Sequence, residues 1–219
     1  MIRRPTRLLT TAVAGTTAVL LLTGCGGGDG DGSKANDKIA GADAGTETST
    51  SPTPSATAAG RPEIELPSDV IDKYDDWKTG DATKDAVLAD TARRIDATND
   101  AILRGDMRSP GLPFYYRDKA LTEAAAWVKA YLDASLSFTG TTRYYAPKVT
   151  LSGATTATVV YCSDESKGFN KNRKTGKVDK TPSSESPYVL YNTRVQKNKQ
   201  GVWQTTNLIS QRGESTCAA

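Results

Sequence analysis

Not one histidine occurs among the 219 residues of this chain. That absence excludes a His-based catalytic triad and His-containing zinc sites, and it leaves Asp, Glu, Tyr and Lys to carry any acid–base chemistry. The chain also lacks a CxxC pair, a calcium-loop signature and a G-x-S-x-G nucleophile turn. Its early glycines, Gly26 to Gly28 with Gly30 and Gly32, have no Gly-Lys-Ser/Thr ending and no strand before them, so they are not a phosphate loop. No catalytic residue, no metal and no cofactor is therefore expected. Net charge is missing as well. The +3 of the whole chain comes from Arg3, Arg4 and Arg7, and from Cys25 onward there are 25 charges of each sign. The pI near 8.7 belongs to those three arginines, and no nucleic-acid partner is expected.

What is present begins at the N-terminus. A cationic start, an uncharged apolar run from Leu8 to Leu22 and small residues after it describe a secretory signal over residues 1–24. The run is too short for a transmembrane helix, which needs about 20 apolar residues. Leu22-Thr23-Gly24-Cys25 resembles a bacterial lipobox. The resemblance implies a diacylated Cys25, membrane lipid as a partner and a place on the outer face of the cytoplasmic membrane. The plainer alternative is a secreted protein with an incidental cysteine. With Cys25 assigned to lipid, Cys162 and Cys217 remain as an even pair on an oxidising side of the membrane. Joined, they close a loop worth roughly 4 kcal/mol; the alternative is two separate thiols.

Residues 25–60 read as a tether of Gly, Ser, Thr, Ala and Pro, with too little apolar surface to offset the entropy of ordering. A domain over 61–219 follows, long enough for one ordinary core. Its start reads as helical, because Val70, Tyr74 and Trp77 recur at i, i+4 and i+7. Asp81 offers a cap for a helix from Ala82 to Arg104, whose face carries Leu88, Ile95 and Ile102 with Thr91 and Thr98, and Gly105 stands at its C-cap. Asp106 to Pro113 reads as a loop. Asp118 is placed to cap a helix from Lys119 to about Leu136. The period then changes from 3.6 to 2. Strands are expected over Arg143–Leu151, Ala154–Asp164, Tyr188–Gln196 and Val202–Gln211, the last two joined at Asn198-Lys199-Gln200-Gly201.

Helices followed by strands indicate an α+β domain, N-terminal helices packed on a curved antiparallel sheet. With Tyr74-x-x-Trp77, Asp90 to Gly105, Trp127, the Tyr144-Tyr145 to Val149 strand, Cys162 and Trp203, this order resembles the NTF2-like, or SnoaL-like, cone of small actinobacterial envelope lipoproteins. The resemblance implies a cavity between helices and sheet. Candidate cavity residues are Trp77, Asp100, Tyr115, Tyr116, Trp127, Tyr131, Tyr145 and Trp203, with Tyr144 a further tyrosine able to line it. Core packing is the competing role for each aromatic. Asp96 and Asp100 share a helical face, and their rotation from the Leu88–Ile95–Ile102 stripe sets both on the solvated side or its margin.

The segment Ser163–Pro187 reads as a long exposed loop. Its positives Lys171, Arg173, Lys174 and Lys177 are candidates for contact with an anionic surface, against a simple solvated excursion. Three functions stay in play. The first is a non-enzymatic, membrane-anchored domain presented to an envelope protein or a small apolar ligand. The second is a small-molecule isomerase or dehydratase; the resemblance implies a ketosteroid-isomerase-like scheme with a carboxylate base and a tyrosine donor. The third is a solute-binding lipoprotein.

Overall fold

A computed structural model describes residues 60–181 and 184–218. The expected signal, Cys25 and nearly all of the expected tether lie outside them. Ten elements follow in order: β1 (Val70–Tyr74), α1 (Ala82–Arg104), α2 (Gly111–Tyr115), α3 (Asp118–Asp133), β2 (Leu136–Leu151), β3 (Thr156–Asn172), β4 (Val178–Asp179), β5 (Tyr188–Lys197), β6 (Trp203–Arg212) and a 3₁₀ turn at Ser215–Cys217.

The architecture is α+β, with the helices packed on a mixed sheet of order β1-β2-β3-β5-β6. Two expectations are corrected here. The sheet is not purely antiparallel, because β1 runs parallel to β2, in register from Val70 opposite Gly140 to Tyr74 opposite Tyr144. Nor is it a cone: the strand path has two ends, at β1 and β6, and the sheet neither closes nor curls strongly.

The 70–74 segment is a strand and not a helix. Val70 and Tyr74 share a face under either period, so a spacing of four does not discriminate. What decides is the edge of β2, whose backbone takes up β1.

Helix α1 runs over the expected residues. The Asp81 carboxylate accepts from the amides of Thr83 and Lys84, and Gly105 sits at φ 73° with its amide bonded to Ala101 and Ile102. Val87, Leu88, Ile95 and Ile102 are buried along it. Part of the expected 106–113 loop joins the short α2. Asp118 is not a side-chain cap: Arg117 holds the cap position, α3 ends at Asp133, and Leu136 already belongs to β2.

The largest departure is in the segment expected to loop out. Ser163–Asn172 continues β3 and pairs with the first half of β2, from Thr141 opposite Lys167 to Leu136 opposite Asn172. Its polar side chains hide it from hydropathy, but a strand needs only a partner backbone. Gly140 makes this pairing close. Its φ is +102°, and a Cβ there would stand 2.1 Å from the Lys167 carbonyl oxygen.

Tyr161 and Cys162 point to opposite faces of β3. The face toward the helices buries Ala157, Val159 and Tyr161 with Val195 and Trp203. On the other, Cys162 is joined to Cys217 with Cα atoms 5.6 Å apart, tying the C-terminal turn to the sheet. Tyr145 lies on that face too, its hydroxyl donating to the Cys217 carbonyl. This also corrects the expected partnership with membrane lipid: the two described cysteines form an intramolecular disulfide, so neither is a free thiol for acylation.

Candidate functional site

A cleft of about 650 Å³ opens between α1, α3 and the helix-facing side of the sheet. Four elements build its inner wall. Helix α1 supplies Arg94, Thr98 and Asn99, which helical spacing sets along one side. The sheet supplies tyrosines from adjacent strands: Tyr144 on β2, Tyr161 on β3 and Tyr191 on β5. Tyr161 and Tyr191 are directly paired in register and stack at 4.9 Å, 8° from parallel. Tyr144 stacks in turn on Tyr74 at 5.2 Å.

Tyr116 enters from the α2–α3 junction, which is pinned to β6 where the Arg117 amide donates to the Thr205 carbonyl. The outer wall is mixed. Ala120, Ala124 and Trp127 of α3 and Leu208 of β6 make its apolar part, and the ion-paired Lys119 and Glu123 of α3 its charged part.

Arg94 is 4% exposed, yet no carboxylate lies within ion-pair distance of it among the described residues. Its Nη1 donates to the Tyr116 hydroxyl at 3.1 Å and its Nη2 to the Tyr161 hydroxyl at 2.6 Å, while Nε is buried without a partner. The Thr98 hydroxyl donates to the Arg94 carbonyl at 3.0 Å, and it has one proton to give. In the 2.8 Å contact between Thr98 and Tyr116, therefore, Tyr116 is the donor.

The Tyr116 proton is thus spent inward. The Tyr161 proton has no acceptor among the described residues, and neither has that of Tyr144. Burial holds both phenols above the ordinary tyrosine range, Tyr144 with a further push from Asp72, so each is a neutral donor.

Two carboxylates line this cleft: Glu123 on α3, ion-paired with Lys119, and Glu165, buried on β3. Arg212 Nη2 donates to its Oε2 at 2.7 Å, and the Tyr191 hydroxyl to its Oε1 at 3.4 Å. Ser163, opposite Tyr144 in register, stands midway between Tyr161 and Glu165 along β3. The cleft therefore runs from a cation at Arg94, past two unspent phenols, to an ion-paired carboxylate.

Behind Asn99 lies a second group. The Asn99 amide donates to Asp72 Oδ2 at 2.6 Å, and the Tyr74 hydroxyl donates to Asp96 Oδ1 at 2.6 Å. Burial, opposed by the Asn99 bond and reinforced by Asp96, pushes Asp72 up to about 7. Burial raises Asp96 as well. The expectation of the solvated side or its margin is thus corrected for Asp100, which is buried, while Asp96 is half-buried; strand β1 and the 106–110 loop cover that side of α1.

Of the residues expected to line a cavity, Tyr116 and Trp127 do so, as does Tyr144, the further tyrosine named with them. Asp100 turns away to Arg104 at 2.9 Å and to Ser109. Tyr115 accepts from Arg61, whose guanidinium holds Asp90, and the Trp203 amide donates to the same Asp90. Trp77 packs edge-on against Tyr161 behind the wall. Tyr131 sits in the core with Phe138, and Tyr145 lies on the opposite face.

The expected anionic-surface set is divided. Lys171 is paired to Asp69 at 3.0 Å, and Arg173 is tied to the carbonyls of Leu136 and Leu103, while Lys174 and Lys177 are exposed. Missing from the sequence reading are Arg94, Glu165 and Arg212. A charged residue immediately before Ile95 on an apolar helix face was the one available signal for Arg94.

No family model matches this chain, and no curated protein matches it. Among solved structures it is similar to a ketosteroid isomerase-like protein from Erwinia carotovora atroseptica SCRI1043. That likeness has 18% identity and a TM-score of 0.39, covering 59% of this chain and 95% of that one. It is also similar to the intermembrane space region of the chloroplast protein ARC6, at 11% identity and a TM-score of 0.38, covering 62% of this chain and 99% of that one. Both likenesses are remote. The site is read from its own geometry. Among the described residues, no helix is long and apolar enough to cross a membrane, and no cluster of His, Cys, Asp or Glu is placed to hold a metal ion.

Proposed function

We propose that residues 61–219 form an NTF2-like domain whose cleft binds a small oxygen-bearing molecule and moves a proton on it, as an isomerase or dehydratase does. One observation carries this reading: the Tyr144 phenol lines the same cleft as the Glu165 carboxylate and has no hydrogen-bond partner among the described residues. A neutral buried phenol that lines a cleft without a protein acceptor is a preorganised donor for an oxygen that gains negative charge. Glu165 is the base that takes a proton from the neighbouring carbon, and Arg212 holds its position. A polar inner wall of this kind fits an oxygenated substrate better than a purely apolar ligand. The disulfide and the signal-like first 24 residues support work in an oxidising, extracytoplasmic compartment.

The test is exchange of the α-hydrogens of phenylacetone, a neutral ketone, into D₂O, followed by proton NMR with the purified protein. Exchange above the buffer rate is expected, falling by roughly 10²–10³ in Tyr144→Phe and at least as far in Glu165→Gln. Wild-type exchange no faster than buffer, for this ketone and for its carboxylate-bearing analogue phenylpyruvate alike, would sink the proton-transfer reading.

A further inference from the structure

We infer that the Arg94 end of the cleft is a carboxylate subsite, and that the substrate is a 2-oxo acid with an apolar substituent. This rests on the proton-transfer reading for the order of groups, but its own support is separate. Arginine is almost never buried unless its charge is paired. Arg94 is buried, meets two neutral hydroxyls and the face of the Tyr116 ring, has no carboxylate within ion-pair distance among the described residues, and keeps its Nε unpartnered. No change of pH removes the charge, because a guanidinium does not deprotonate in proteins. The cleft thus holds a permanent positive charge with no carboxylate in ion-pair contact among the described residues; Asp96 feels that charge only at longer range.

The neighbouring phenols show how an anion would meet that charge. Tyr161 accepts from Arg94 at 2.6 Å, which polarises its own O–H, and that proton is unspent. Tyr116 cannot serve, having given its proton to Thr98. An anion at this end therefore takes a charge-assisted bond through Tyr161.

The order of groups along the cleft then selects the substrate. Tyr161 comes first, Tyr144 next with its ring centroid 6.2 Å away, and Glu165 beyond. A carboxylate at Tyr161 places an adjacent oxo group at Tyr144 and the following C–H at Glu165. Glu165 removes that proton, the C–H electrons form the enol double bond, and the oxo oxygen takes up the negative charge at Tyr144. Return of the proton to carbon or oxygen restores the carboxylate, so the step needs no co-reactant. The substituent then lies between Trp127 and Leu208, on the apolar part of the outer wall.

Phenylpyruvate and phenylacetone test this directly, since they differ only in having a carboxylate or a methyl group on the carbonyl carbon. Benzylic exchange in D₂O is measured for both with the full chain, each divided by its rate in buffer alone. The expected kcat/KM ratio favours phenylpyruvate by ten-fold or more. Tyr161→Phe, which keeps the ring stack, should bring the ratio down several-fold, and Arg94→Met should bring it close to one. The wild-type ratio is informative even if Arg94→Met fails to fold.

A ratio near one in the wild type overturns the carboxylate subsite and leaves proton transfer standing. Should neither compound exchange while phenylpyruvate, but not phenylacetone, raises the melting temperature, the subsite stands and proton transfer falls. No exchange and no such stabilisation overturns both.

Discussion

Tyr161 accepts a 2.6 Å hydrogen bond from a buried Arg94, whereas Tyr144, 6.2 Å away between ring centroids, has no protein partner among the described residues. Two tyrosines on one wall therefore differ in what they do for the fold. Tyr161→Phe strands a buried donor of a cation and should cost about 1–3 kcal/mol. Tyr144→Phe removes no protein hydrogen bond and should stay within about 0.5 kcal/mol of wild type. Urea denaturation of the two variants checks the contrast, and equal losses would contradict it.

Asp72 makes stability depend on pH. Its folded value of about 7 lies above the unfolded carboxylate value near 3.9, so the folded state binds the proton more tightly. Its stabilising contribution is complete below about pH 4, is lost as pH rises to about 7, and does not change further above that. The expected loss is up to about 4 kcal/mol at three pKa units. Asp72→Asn should flatten this decline and be the more stable protein at pH 8, as denaturant midpoints at pH 5 and pH 8 will show.

The disulfide closes a 55-residue separation on the sheet face away from the cleft. Cys217→Ser should cost about 4 kcal/mol on the chain-entropy estimate. The cleft residues are on the other face, so exchange activity at 20 °C should survive in the folded variant. Calorimetry beside the exchange assay separates the two effects.

Gly140→Ala should be among the most damaging single-methyl substitutions in the domain. The added carbon meets a carbonyl oxygen of the paired strand, and a φ of +102° is one that L side chains rarely adopt. A loss of about 3 kcal/mol or more is expected, combining backbone strain of roughly 1–3 kcal/mol with the steric clash. At Gly153, whose φ is +101° but which has no atom within 4 Å, alanine should show the strain alone. Parallel thermal melts of the two variants measure the difference.

Helix α1 was legible because its signals are local: an Asp81 cap, apolar residues seven apart and a glycine at the end all lie within one stretch of chain. The hairpin at Asn198–Gly201 and the core of β3 were legible for the same reason. Strand β1 was not. Five residues whose spacing suits either period became a strand because β2 offered a backbone edge. The polar half of β3 was hidden likewise, since pairing with Leu136–Thr141 is a relation between segments some thirty residues apart. Tyr116 and Trp127 could be picked out as aromatic candidates, but nothing local separates them from Tyr115 and Tyr131, which turn into other parts of the core.

The sequence by itself determined that any acid–base chemistry here must proceed without histidine, that Cys162 and Cys217 make an even pair beside Cys25, and that the long helices precede the main strands. Those are matters of composition and short-range periodicity. Only the tertiary structure decided that Arg94, an ordinary charged residue on a helix, lies buried against two phenols with no acid in ion-pair contact among the described residues. The reason is physical: burial and charge pairing depend on which surfaces meet, and the surfaces around Arg94 come from elements as far apart as residues 94, 116 and 161.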